Sequence, residues 1–143
     1  MLPRERLRLE VESLIKRFID EVFRKYSPSC IILFGSYVKG DFTESSDVDI
    51  CVISNELPED LIERRTIITG IKKIRALGFK EDEFFSMLDE MNPLVLDIVY
   101  EGRPLFGEEI FRRYKKKLKK MIKRGFIEKY KDGWRYKSTR LSD

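Results

Sequence analysis

The residues with chemistry to offer fall into two short stretches. Gly35-Ser36-Tyr37-Val38-Lys39-Gly40 follows directly on the apolar run CIILF. A glycine there lets the backbone approach a ligand with no Cβ in the way. A short helix beginning near Ser36 would turn free N–H groups and a hydroxyl toward a phosphate. Seven residues beyond Gly40 comes Asp47-Val48-Asp49, preceded by Ser45 and Ser46. On a strand, positions i and i+2 project from one face, so the two carboxylates stand side by side. Such a pair repels itself unless a cation joins it, and hard oxygen donors suit Mg²⁺ or Mn²⁺. A phosphate-accepting turn beside a cation-binding pair fits a metal-bound nucleotide; a surface turn rich in Ser and Asp is the plain alternative.

A third acid, Asp97, interrupts the apolar run LVLDIVY over residues 94–100, which reads as a strand. A lone carboxylate is costly in such a place. Asp97 is therefore expected beside Asp47 and Asp49, as the third carboxylate of a two-metal site. An edge strand facing solvent, or a partner such as Arg103, would account for it otherwise.

The elements that position these residues are legible from periodicity. Residues 4–26 space Leu7, Val11, Leu14, Ile15, Phe18, Ile19, Val22 and Tyr26 as one helical face. CIILF reads as a buried strand, 35–46 as a loop, and 47–54 as a second strand. Helices are expected over 59–77, 81–90 and 108–123. The segments 126–130 and 134–138 flank Lys131-Asp132-Gly133, the signature of a hairpin turn. Strands alternating with helices predict an α/β (α+β) domain with a small mixed sheet.

Composition narrows the chemistry. The 143 residues are 42% hydrophobic and 38% charged, ample for one packed core, and include no histidine. That absence excludes imidazole-based nucleophile systems and zinc sites that need an imidazole. Carboxylates, hydroxyls and backbone groups remain. Cys30 and Cys51 sit in apolar runs and read as reduced core thiols, with a disulfide as the alternative, so a cytoplasmic setting and no membrane segment are expected. Glutamine is absent while Lys, Arg and Glu abound, a balance seen in thermophiles.

Charge is unevenly spread. From Arg112 onward 14 Lys and Arg face three acids, a balance of +11, which leaves −7 for residues 1–111. The chain accordingly divides into a domain over 1–111 and a basic extension over 112–143. Basic residues interleaved with Phe126, Tyr130, Trp134 and Tyr136 suit RNA or an acidic protein; a solvated surface closing the core is the plain alternative.

Gly35-Ser36 and Gly40, then Ser46-Asp47-x-Asp49 and a later aspartate, together resemble the DNA polymerase β-like nucleotidyltransferase superfamily. The short chain is similar to its minimal nucleotidyltransferase branch, whose members include antitoxins that adenylylate a HEPN-domain ribonuclease. Val38 departs from the alanine of many members. The motifs span about residues 30–101, with the basic tail outside them. The resemblance implies ATP as substrate, with Gly35 and Ser36 holding its β- and γ-phosphates and Lys39 neutralising charge. It further implies Asp47 and Asp49 bridging two Mg²⁺ ions, and Asp97 ligating the catalytic ion and helping to deprotonate the attacking hydroxyl. A HEPN-domain protein is then the expected acceptor; transfer to a small molecule or an RNA 3′ end, or a non-catalytic binding module, are the alternatives.

Overall fold

The computed structural model describes residues 1–68 and 70–137. The long helix α1 (Pro3–Lys25) has Pro3 in its first turn, Glu5 near its N-terminus and Arg24 and Lys25 at its end, matching the sign of the helix dipole. Its buried stripe is Val11, Ile15, Phe18 and Val22. The sheet contains β1 (Cys30–Phe34), β2 (Val48–Ile53), β3 (Ile74–Phe79) and β4 (Arg103–Phe106), in the order β3-β2-β1-β4. β1 runs antiparallel to both β2 and β4, whereas β2 and β3 are parallel. The expected α/β architecture with a small mixed sheet is observed.

The sheet is a partition between two cores. On one face α1 packs against Ile31, Leu33, Val48, Ile50, Val52, Ile74 and Ala76. On the other, Cys30, Ile32, Phe34, Cys51 and Ile53 meet helices α4 (Glu81–Asp89), α5 (Pro93–Glu101) and α6 (Glu108–Lys123). β1 and β2 are buried on both faces, which explains the unbroken apolar run of β1 and of residues 50–53 in β2. Both cysteines are free and buried, and burial pushes the Cys30 thiol up to about 12.

Three expectations are overturned. The helix read over 59–77 ends early: α3 covers Leu61–Ile68, and 74–79 is β3. Parallel pairing with β2, from Val48 opposite Ile74 to Ile53 opposite Phe79, overrides the helix-like spacing of the isoleucines. The segment 94–100 is no strand but lies within α5. Asn92 is its N-cap, accepting from the backbone N–H groups of Leu94 (3.0 Å) and Val95 (3.3 Å), with Pro93 at the first helical position. β4 then completes the sheet from residues to which no element had been assigned.

The division at residue 111 does not mark a structural boundary either. It falls inside α6, whose Phe111, Tyr114, Leu118 and Met121 are buried, and Ile127 of β5 (Ile127–Tyr130) joins the same core. β5 pairs with β6 (Gly133–Tyr136) in the expected hairpin. Among the described residues no helix is long and apolar enough to cross a membrane.

Candidate active site

The site forms where β1 ends beside the start of β2. Phe34, the last residue of β1, is the register partner of Asp49. Gly35 then turns the chain with φ 83° and ψ −155°, a conformation that L side chains rarely adopt. One helical turn, α2 (Ser36–Lys39), follows, and Gly40 closes it in the left-handed region with its N–H on the Ser36 carbonyl at 3.1 Å. So the segment 35–40, expected as loop, contains the short helix that the phosphate argument needed at Ser36.

The return loop is pinned at two places. Ser46 Oγ accepts from the Thr43 backbone N–H at 3.1 Å, and the Ser46 N–H returns a bond to the Thr43 carbonyl at 3.0 Å. Ser46 therefore shapes the loop that presents Asp47. Val48 N–H donates to the Lys73 carbonyl at 2.8 Å, while Lys73 Nζ donates to the Glu44 carbonyl.

Asp47 is exposed one residue before β2, and Asp49 is buried within it. The Asp49 side chain lies on the sheet face of Cys51 and Ile53. A Cβ at Gly35 would overlap Asp49 Oδ2 and sit 3.1 Å from its Cγ, so turn and carboxylate are fitted to each other. The other oxygen, Oδ1, accepts from Arg75 Nε at 2.6 Å. Arg75 stands on β3 directly across from Asp49. Its pKa is raised first by the hydrogen bond and charge of Asp49, with a contribution from Asp47, so both carboxylates act on this guanidinium.

Asp97 is not in that cluster. It lies on α5, where its Oδ1 accepts from Trp134 Nε1 at 2.8 Å and faces Lys129 Nζ at 3.8 Å. It ties the hairpin to α5, and the indole stacks edge-on against Tyr100. Among the described residues no three acidic or thiol side chains converge as a metal-binding group. Asp97, expected on a strand, thus stands on a helix and holds the hairpin's indole.

Lys39, expected to face phosphate, is 3.6 Å from Glu101 at the end of α5. Burial raises the Glu101 pKa, the charge of Lys39 opposes this, and that of Asp97 adds to it. The same helix end is capped by Lys115, whose Nζ donates to the Val99 carbonyl at 3.0 Å.

Sequence reasoning missed Arg75 and Glu101. Arg75 was hidden inside the helix assigned to 59–77; the alternation of Ile74 and Ala76 with Arg75 and Leu77 was the available signal.

A mixed sheet carrying a glycine turn and two aspartates at its mouth is the frame of a nucleotide-handling enzyme. The family model described as a nucleotidyltransferase domain matches residues 15–137, and the chain belongs to that family of enzymes. The match runs through α6 and the hairpin to residue 137 and so takes in most of the basic tail. The Methanocaldococcus jannaschii protein MJ1305, provisionally named a protein adenylyltransferase, is 29% identical over 127 residues, covering 79% of this chain and 86% of that protein. Protein adenylyltransferase MntA of Thermococcus cleftensis is 41% identical over 49 residues, or 34% of this chain and 50% of MntA. A crystal structure of a toxin–antitoxin complex with AMP-PNP shares the fold with TM-score 0.52 at 20% identity, over 76% of this chain and 86% of that one.

Proposed function

We propose that the chain transfers AMP from ATP to a hydroxyl of a partner protein, as the antitoxin of a toxin–antitoxin pair. The observation that carries this reading is the exposed Asp47 and buried Asp49 set against the Gly35 turn, within a chain that matches nucleotidyltransferases along most of its length. The names of its relatives support a protein acceptor, and the AMP-PNP complex supports an ATP substrate. A HEPN-domain ribonuclease is the acceptor we favour.

The donor set fits one divalent cation: two carboxylates, with phosphate oxygens and water completing the shell, is how Mg²⁺ is commonly held. Asp47 and Asp49 Oδ2 would hold it. When bound there, the ion offsets charge on the triphosphate and on the departing pyrophosphate. The chain's own part is positioning. The Gly35-Ser36 turn seats the terminal phosphates, which leaves the α-phosphorus open to the acceptor. The acceptor oxygen bonds to that phosphorus as the bond to the bridging oxygen breaks. Pyrophosphate leaves with that electron pair, and the hydroxyl proton passes to water at the open mouth beside exposed Asp47.

The test is incubation with α-labelled ATP and Mg²⁺, alone and with the protein encoded by its neighbouring gene. Label is expected on that protein, released by no phosphatase that spares phosphodiesters. Label appearing only on RNA or a small molecule would move the acceptor to those classes, and no labelled product at all would overturn the transfer reading.

A further inference from the structure

The position across β3 from Asp49 decides how many cations the site can hold, and it carries a guanidinium. Arg75 is the parallel register partner of Asp49 and takes its Oδ1 through Nε at 2.6 Å. An ion shared between Asp47, Asp49 and β3 would need an oxygen donor there. Arginine offers five N–H donors and no acceptor, and it keeps its charge at any working pH. Two further acids are engaged elsewhere: Asp97 with Trp134 and Lys129, Glu101 with Lys39.

Resting on the transfer reading above, we propose that Arg75 is a nucleotide-binding residue and that the site takes one divalent ion, the guanidinium supplying the second positive charge on the triphosphate. The geometry suits this. The Arg75 side chain is 63% exposed, and its pair with Asp49 uses Nε, which leaves the two terminal nitrogens outside that bond. A planar fork of N–H donors matches phosphate oxygens two at a time. In the free protein the same group balances Asp49, which would otherwise be a buried carboxylate without its cation.

The experiment is a Mn²⁺ titration of the full chain, followed by electron paramagnetic resonance, with a non-hydrolysable ATP analogue at saturation. The parent is expected to bind one Mn²⁺ per chain, and Arg75→Asp, which places an acid at this register position, two. Arg75→Gln should keep one Mn²⁺ and bind the analogue about tenfold more weakly, with Arg75→Lys between the two. Arg75→Lys should melt near the parent, whereas Arg75→Gln and, more strongly, Arg75→Asp should melt lower without Mn²⁺, because buried Asp49 loses its balancing charge. Two Mn²⁺ on the parent, or unchanged analogue affinity in Arg75→Gln, would overturn the proposal. These readouts need no acceptor: one Mn²⁺ and Arg75-dependent nucleotide binding without AMP transfer would sink the transfer reading alone.

Discussion

The Asp49 carboxylate occupies the space that a side chain at Gly35 would fill. Its Oδ2 lies where a Cβ would be built, and Gly35 holds a φ of 83° that resists any replacement. Gly35→Ala should therefore strain the turn and displace the carboxylate together. A loss of about 1–3 kcal/mol in urea unfolding is expected, with transfer reduced ~10²-fold or more. Parent-like transfer in this variant would separate the turn from the chemistry.

The three aspartates should divide into two classes. Asp47→Asn and Asp49→Asn each weaken the hold on the cation and should lower transfer by ~10²–10⁴. Asp97→Asn keeps an oxygen to accept from Trp134 Nε1 and should transfer within a few-fold of the parent. Asp97→Ala should instead cost about 1–3 kcal/mol of stability, because the indole N–H loses its acceptor. Rates for the three Asn variants settle the division; an Asp97→Asn loss as deep as that of Asp49→Asn would return it to the reacting centre.

Nucleotide and cation should be linked. ATP with Mg²⁺ at ~100 times its dissociation constant adds roughly 2.7 kcal/mol, a rise of about 5–10 °C in melting temperature for a domain of this size. In EDTA the triphosphate meets Asp47 and Asp49 unshielded, and most of the rise should vanish. An equal rise in EDTA would place nucleotide binding elsewhere.

Glu101 gives a pH signature. Burial raises its pKa in the folded chain, so folding disfavours its ionised form. That penalty is absent below the unfolded carboxylate's pKa and complete above the raised folded value. Glu101→Gln should raise the melting temperature at pH 7, and the gain should disappear as pH falls to about 4, near the ordinary carboxylate range. A lower melting temperature at pH 7 would mean that the contact with Lys39 outweighs the burial.

The outer face of α6 is expected to guide the acceptor. Lys116, Lys119 and Lys120 are exposed, whereas Lys117 is held by Asp89 at 2.9 Å. Replacing the three exposed lysines with Ala should weaken partner binding and flatten its salt dependence, with nucleotide affinity unchanged. Calorimetry at two ionic strengths checks both; an unaltered salt slope would reduce these lysines to a solvated surface.

The part of the site legible in the sequence is the part built locally. Gly35, Ser36, Asp47 and Asp49 come from one stretch of chain joined by a turn, so spacing alone could place them together. The helix that bears Asp97 was not legible, because a short apolar run with β-branched residues fits a buried strand and a buried helix equally well. Asn92-Pro93, the feature that distinguishes them, marks a helix start as readily as a stop. Arg75 reaches the site only through parallel pairing after an intervening helix, and sequence periodicity contains no such tertiary information. The helix expected over 108–123 was legible for the opposite reason: a strongly cationic helix leaves one apolar stripe to bury.

The outer strand β4 has a consequence for self-association. It is only four residues long, its pairing with β1 slips register between Ile31 and Ile32, and Pro104 removes one amide from its ladder. Phe106 at its end is stacked edge-on by Phe23 of α1, with ring centroids 4.8 Å apart. A strand this short, irregular and proline-bearing is a poor template for a further strand from another chain.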